Sequence, residues 1–192
     1  MSIHIKGELE IEVRDRQGRI KKRHKQQMKS FVRNFLKHLK CAFQEANETG
    51  LVDTSGNTVE IYHPFAGNYH FLDVKGGEGG ATKGIVIGSG TTPPTNDDYK
   101  LESQYNTSVF SYSSTSITIV DEEGYVVLRI IRTFTNVSGS SKTINEVGLI
   151  CRTGSPTVTN ALILIARDVL STPITVEDGE SVVIRYVIKT MA

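Results

Sequence analysis

Tryptophan is absent from the 192-residue chain, and cysteine occurs only twice. Cys41 and Cys151 are too few for a disulfide framework, and they lie far apart in segments of different type. We expect both to be small buried apolar side chains in a protein of a reducing compartment. The hydrophobic content of 38% and the charged content of 22% are ordinary for a folded domain, so disorder is not expected for most of the chain.

Long apolar runs are also missing. The longest run, residues 161–166, is far shorter than the roughly 20 residues that a membrane-spanning helix needs, so no membrane span is predicted. Residues 1–6 alternate apolar and polar side chains and lack the apolar stretch of a secretion signal.

Acidic residues are nearly missing from one segment. Between Arg14 and Lys40 the net charge is +10, with Asp15 as the single acid, whereas the other 165 residues carry a net charge of −9. The basic residues of this segment are Arg14, Arg16, Arg19, Lys21, Lys22, Arg23, Lys25, Lys29, Arg33, Lys37 and Lys40.

Two interpretations of this basic segment remain open. In the first, the basic residues form the solvent-exposed face of a hairpin and a helix, without a binding role. Solvated faces usually mix both signs of charge, however, so the pattern also predicts contact with a polyanion, such as packaged nucleic acid, or with an acidic surface of a neighbouring subunit. Aromatic side chains are absent from residues 14–25, so sequence-specific or single-strand recognition is not expected.

The apolar spacing at the start of the chain changes from that of strands to that of a helix. Residues 3–13 and 19–23 predict a β-hairpin with a turn at residues 15–18. From Gln26 to Ala46 the spacing predicts an amphipathic helix. Its predicted apolar face consists of Met28, Phe31, Val32, Phe35, Leu36, Leu39, Ala42 and Phe43. We expect this face to pack either on the rest of the protein or against the helix of a neighbouring subunit.

After residue 50 the pattern is typical of β-strands, because segments rich in Val, Ile, Thr, Tyr and Phe alternate with turn-forming Gly, Pro, Asn and Asp. The predicted strands are 59–62, 69–74, 84–87, 108–112, 116–120, 124–134, 143–151, 161–169 and 181–189. Crossover helices are missing, which excludes a parallel α/β fold.

These elements predict a mainly β fold, an antiparallel β-sandwich of jelly-roll type with one N-terminal amphipathic helix. Residues 1–50 are assigned to the basic hairpin and the helix, and residues 51–192 to the sandwich, as one compact unit.

Catalytic, cofactor-binding and metal-binding sets are not predicted. The glycine-rich stretch 76–90 contains Lys83 but lacks the spacing of a phosphate-binding loop. His63, His70 and Asp73 could offer metal ligands, yet their spacing fixes no geometry and a fourth ligand is missing. The serines lie in strand-like segments without a nucleophile elbow. We therefore predict a non-enzymatic protein without a cofactor.

Several short elements follow one another between residues 84 and 190. They are GIVIGSGTTPP at 84–94, DDYKLE at 97–102, INEVGL at 144–149, LIARD at 164–168, PI at 173–174 and GE at 179–180. In order and approximate spacing they resemble virion structural proteins of tailed phages and archaeal viruses.

The resemblance implies a β-sandwich or jelly-roll building block: a capsid, turret, neck, baseplate, tail or decoration component without catalysis. Such a protein is commonly a homo-oligomer, is made in the host cytoplasm and resides in the virion. Its partners are copies of itself, other virion proteins and packaged nucleic acid. Jelly-roll capsid proteins of this kind often carry a basic N-terminal segment that faces the genome, which fits residues 14–40. The chain lacks the repetitive shaft of a tail fibre.

Two other functions fit the residues. An adhesin or ligand-binding sandwich would use its Gly- and Ser-rich loops together with Tyr62, Tyr69, Tyr99 and Tyr105, although the absence of tryptophan disfavours sugar stacking. A nucleic-acid-binding protein would use the basic segment, and its affinity would fall steeply with salt.

Overall fold

The computed structural model of the chain describes residues 5–28, 31–64, 67, 70–122 and 124–191. Its elements in chain order are β1 (Ile5–Arg14), β2 (Ile20–Gln27), α1 (Arg33–Gln44), β3 (Glu48–Val52), β4 (Thr58–Ile61), β5 (Gly84–Gly88), β6 (Phe110–Tyr112), β7 (Ser116–Glu122), β8 (Tyr125–Asn136), β9 (Lys142–Thr153), β10 (Ala161–Val176) and β11 (Ser181–Met191). All pairings between these strands are antiparallel. The predicted mainly β, antiparallel protein with one helix is therefore confirmed for the described residues.

The larger sheet has six strands. Their order is β2–β1–β11–β8, and both β6 and β7 pair with β8. β6 pairs with residues 134–136 of β8 and β7 with residues 125–131, so the two strands follow one another along β8. β1 pairs with β11 over residues 5–14, and the basic hairpin β1–β2 therefore extends this sheet.

A smaller sheet has the order β10–β9–β5, and β3 and β4 form a hairpin. Alternating side chains of the larger sheet, such as Leu9, Ile184 and Phe134, belong to the same hydrophobic cluster as Ile87 and Ile163 of the smaller sheet. Successive strand residues point to opposite faces, so the larger sheet contributes one face to this core, whereas consecutive residues of β5 and β10 bring both faces of the smaller sheet into it.

The helix is shorter than predicted and starts seven residues later. Residues 20–27 form β2 and pair with β1 instead. Gln26 links β2 to β10, because its side-chain oxygen accepts a hydrogen bond from the main-chain N–H of Ser171 at 2.9 Å. The helix therefore follows two strands, and it spans Arg33–Gln44 rather than residues 26–46. Among the described residues, no helix is long and apolar enough to cross a membrane.

The predicted apolar face of α1 packs only in part on the rest of the chain: Phe31 and Phe35 contact the core, whereas Leu36 and Phe43 do not. The buried helix residues are Asn34, His38 and Cys41, which lie on one side at the spacing i, i+4, i+7. Asn34 reaches this position because its amide forms two bonds with the main chain of Val52 on β3, at 3.0 and 3.2 Å. Two residues of the predicted apolar face point to solvent, Leu36 at 62% and Phe43 at 83% exposure.

Two strand predictions also differ from the structure. In place of the predicted strand 69–74, the described residues show only an isolated bridge between Asp73 and Arg152; Tyr69 lies outside them. β3 was not predicted, since its sequence ETGLV includes glycine and an acid, which have low strand propensity. It is held by pairing with β4 and by the bonds from Asn34.

Candidate functional site

Four of the six elements that carry the sequence resemblance meet around one buried carboxylate, that of Glu146 on β9. Its side chain is fully buried and accepts hydrogen bonds from three main-chain N–H groups. The donors belong to Gly90, Glu102 and Ser103, at 3.1, 3.0 and 2.7 Å. The long loop between β5 and β6 is thereby tied to β9 at two places.

The cation that balances this carboxylate is Arg167 on β10, whose side chain is 3% exposed. It donates to Glu146 Oε2 at 2.9 Å, to Asp98 Oδ2 at 2.7 Å and to the main-chain oxygen of Thr92 at 3.1 Å. Burial lowers the pKa of Arg167, but the carboxylates of Asp98 and Glu146 raise it by more, so the guanidinium stays charged. Its three nitrogen atoms are all used to hold the loop.

Two glycines allow the loop to approach Glu146 this closely. A β-carbon at Gly88 or at Gly90 would lie 2.5 Å from Glu146 Oε1, which is closer than non-bonded atoms approach. Glu102 fixes the same loop, since its carboxylate accepts the main-chain N–H groups of Thr91 and Thr92 at 2.7 and 2.8 Å. We call Asp98, Glu102, Glu146 and Arg167 the loop anchor.

The loop anchor gives a structural account of elements that are far apart in sequence. Its charged groups are bonded to one another and to the main chain, an arrangement that fixes a loop rather than presenting a reactive group. Sequence reasoning quoted these residues as part of a resemblance but assigned them no role. The sequence feature that points to the loop anchor is the occurrence of Gly88-Ser89-Gly90, Glu146 and Arg167 together in strand-like segments.

A second buried arginine, Arg132 on β8, organises the glycine-rich segment. Its side chain donates to five main-chain oxygens, those of Gly77, Gly80, Lys83, Ile85 and Ser113. Burial lowers the pKa of Arg132 to about 10, so the side chain is still a cation at neutral pH, and it lies 4.9 Å from the centre of the Tyr112 ring. A phosphate-binding loop presents N–H groups to an anion, whereas this loop presents carbonyl oxygens to a cation.

Of the three residues considered as metal ligands, His63, His70 and Asp73, the structure brings the last two together. His70 Nδ1 lies 3.6 Å from Asp73 Oδ2. The same carboxylate oxygen accepts from Lys83 at 2.6 Å and from Arg152 at 3.0 Å, so two cations already occupy it. In the part of the chain that the structure describes, no group of three His, Cys, Asp or Glu side chains could hold a metal ion.

Both cysteines are free and buried, as predicted. Cys151 Sγ lies 3.8 Å from His38 Nε2. Burial raises the pKa of the Cys151 thiol, and burial also lowers the pKa of His38 to about 4. Both groups are therefore neutral at pH 7, the opposite of the thiolate and imidazolium that form a reactive cysteine pair.

The basic segment meets carboxylates of its own chain. Eight of its described cations form ion pairs: Arg14 and Arg23 with Glu12, Arg16 with Asp178, Arg19 with Asp15, Lys21 with Glu180, Lys25 with Glu8 and Glu10, Arg33 with Asp97, and Lys40 with Glu48. Lys37 donates to the main-chain oxygens of Thr49 and Gly50, Lys22 is exposed, and Lys29 lies outside the described residues. Charges that are separated along the sequence are interleaved on the folded surface.

The cations of this segment lower the pKa of acids that face them. The bond from Lys25 lowers the pKa of Glu8, and the bond from Arg14 lowers the pKa of Glu12, in each case against the opposing effect of partial burial. Because these pairs are at the surface, each contributes only about 0–1 kcal/mol to stability. Their main effect is that these cations already have a carboxylate beside them in the free chain.

Two apolar surfaces remain uncovered by the described residues. On α1, Leu36 is 62% and Phe43 is 83% exposed, with Leu39 between them on the same side of the helix. We call these three residues the helix patch. At the edge of the larger sheet, Ile119 on β7 is 71% exposed, next to Ile117 and Val126, which are about half exposed. These three form the edge patch.

The tyrosines considered for ligand contact do not share one role. The hydroxyl of Tyr105 donates to the main-chain oxygen of Thr143 at 2.9 Å, and its ring packs against Phe110. Lys100 lies over the ring of Tyr99. Tyr69 lies outside the described residues.

Comparison of the chain with family models, with curated proteins and with solved structures finds no match.

Proposed function

We propose that this chain is a non-enzymatic structural subunit of a virus particle, built as an antiparallel β-sandwich and assembled with copies of itself and with other virion proteins. The observation that carries the proposal is the pair of uncovered apolar surfaces, the helix patch and the edge patch. Large apolar side chains grouped at a surface are typical of protein–protein contacts.

The interior of the protein supports a structural role. Its buried charged groups, Glu146, Arg167 and Arg132, hold loops to strands and are engaged by bonds within the chain. The buried thiol and imidazole of Cys151 and His38 are held neutral. A building block needs such fixed loops, since assembly repeats one contact many times and tolerates little variation in shape.

The assignment to a virion rests on the resemblance of residues 84–190. In the structure, four of the elements that carry this resemblance converge on the loop anchor. Contact between the basic segment and packaged nucleic acid would require the cations to turn from the carboxylates they now face, so the proposal rests on protein–protein contacts.

The proposal is tested by incorporation into particles. Virus particles are purified by density gradient from cells that express the chain together with the rest of its virus, and the chain is quantified by mass spectrometry. We expect it to sediment with particles at a fixed copy number relative to the major coat protein. A chain found only in the soluble, monomeric fraction would contradict the proposal.

A further inference from the structure

The two edges of the larger sheet differ sharply in charge. One edge is β2, with the sequence IKKRHKQQ, whose residues 20–23 are all exposed. The opposite edge along the first half of β8 is β7, with the sequence SITIVDE, which has no charged residue before Asp121. Among the described residues, β2 pairs only with β1 and β7 pairs only with β8.

An edge strand offers free main-chain groups to another strand. On β7, alternate residues point their N–H and C=O groups away from β8. Lysines and arginines on an edge strand hinder such pairing, and uncharged apolar edges invite it. The four cations Lys21, Lys22, Arg23 and Lys25 therefore protect the β2 edge, whereas residues 116–120 leave the β7 edge open.

The side chains of β7 extend the apolar face of the sheet. Ile117 lies opposite Ile130 and Ile119 opposite Leu128, so the two isoleucines share the face that carries the core residue Ile130. Ile117 is nonetheless about half exposed and Ile119 largely exposed, and neither belongs to the core cluster that includes Ile130. A strand added outside β7 would cover them.

We propose that β7 is the surface through which one copy of this chain pairs with a second copy, as antiparallel edge strands related by a two-fold axis at Thr118. This inference rests on the proposed function and names the partner and the contact. In that register Ile117 lies opposite the partner's Ile119, and Ile119 lies opposite the partner's Ile117, so the two edge patches merge.

The uncharged part of β7 fits this register with a second copy. Pairing stops at Ser116, because the preceding residue, Thr115, is buried and donates its main-chain N–H to the oxygen of Gly76 at 2.8 Å. The segment left open is therefore residues 116–120, which is centred on Thr118, and Asp121 and Glu122 lie outside it. Thr118 faces its own counterpart, and Thr–Thr pairs are favourable across strands. With β2 protected, the combined sheet stops at two copies and forms a closed, two-fold contact.

The basic strand β2 then has a role that requires no polyanion. Its cations keep the second sheet edge unpaired, while the carboxylates of β1 balance their charge. Association is then possible at the open edge, β7, and is prevented at the protected edge, β2.

Sedimentation velocity of the full-length chain tests the contact. The variants are Thr118→Lys and Ile119→Lys, both at exposed positions of β7, and the matched control is Val137→Lys, at a half-exposed apolar residue just after β8. We expect the wild type and the control to sediment with at least twice the chain mass of 21.2 kDa. The β7 variants should dissociate at concentrations at least tenfold higher than the wild type, with unchanged circular dichroism.

The outcomes separate this inference from the function on which it rests. A wild-type multimer whose mass is unaffected by either β7 variant overturns the β7 contact and leaves the structural function standing. A monomeric wild type contradicts self-association altogether.

Hydrogen exchange of the wild type is a second measurement that needs no variant. Amides of residues 116–120 should become more protected as protein concentration rises. Concentration-dependent protection confined to α1 would assign the contact to the helix patch and overturn the inference.

Discussion

Glu146 and Arg167 hold opposite charges away from water at the centre of the loop anchor. Glu146 also accepts three main-chain N–H groups, which hold its side chain in the interior beside Arg167. Removal of one partner from a buried ion pair costs about 3–5 kcal/mol, since the other charge is left without compensation.

We therefore expect Arg167→Ala to lower the free energy of unfolding by about 3–5 kcal/mol, measured by urea unfolding with circular dichroism. The control is Arg16→Ala, since Arg16 forms an exposed pair with Asp178 at 3.5 Å and should contribute about 1 kcal/mol at most. Equal losses at the two arginines would show that the loop anchor does not depend on its buried ion pair.

His38 makes stability depend on pH. Its imidazole is fully buried, and burial lowers its pKa from 6.5 to about 4. Below pH 6.5 the unfolded chain takes up a proton that the folded chain does not, so the contribution of His38 is complete above pH 6.5 and is lost as pH falls towards 4. The full loss is about 3 kcal/mol.

The measurement is urea unfolding at several pH values between 7 and 4.5 for the wild type and for His38→Gln. We expect the wild type to lose more stability than the variant over this interval, and the difference between them to grow as pH falls. Parallel curves for the two proteins would mean that His38 is protonated in the folded state.

At the scale of elements, α1 shows how far periodicity can predict packing. The spacing of apolar residues identified a helix, and it identified which residues share a face. It did not identify the face that packs, because Asn34 and His38 are polar and become buried only through particular partners, Val52 and Cys151. Those partners lie 18 and 113 residues away and cannot be found from local spacing.

The exposure of Phe43 on α1 leads to a stability prediction. Phe43→Ser should change the unfolding free energy by less than about 0.5 kcal/mol, since the side chain is 83% exposed. Leu51→Ala on β3, a fully buried residue beneath the helix, should cost about 2–5 kcal/mol. Thermal unfolding in dilute solution measures both, and a large loss at Phe43 would indicate that the helix packs on its apolar stripe.

Strands were predicted more successfully than their partners. Alternation gave β1, β5, β7, β8, β9 and β11 nearly within their observed bounds. It could not give the order of strands in a sheet, since pairing of β1 with β11 joins opposite ends of the chain. It also ended β10 too early, at residue 169, because Pro173 stops an alternating pattern while the strand continues after a register shift.

At the scale of the whole molecule, the charge asymmetry of the sequence does not become an equally strong surface field. The net charge of +10 between residues 14 and 40 is correct as a count. Eight of those cations face carboxylates of the same chain, however. Arg14 and Arg19 pair with near neighbours in sequence, and the other six pairings depend on the fold.

This arrangement predicts weak, shallow salt dependence of binding to duplex DNA. Each phosphate contact contributes about −0.9 to the slope of log K against log salt, so release of the whole segment would give a slope near −10. We expect a slope shallower than about −3, measured by fluorescence anisotropy between 50 and 200 mM salt. A slope near −10 would show that the cations leave their carboxylates for phosphate.

Self-association is the central claim, and the molar mass of the purified chain in solution tests it most directly. Light scattering after size exclusion is recorded at low and at high salt. We expect a discrete multimer of the 21.2 kDa chain at both, since the proposed contact is made by main-chain hydrogen bonds and isoleucine side chains rather than by ion pairs. A mass of 21.2 kDa at both salt concentrations would contradict the account.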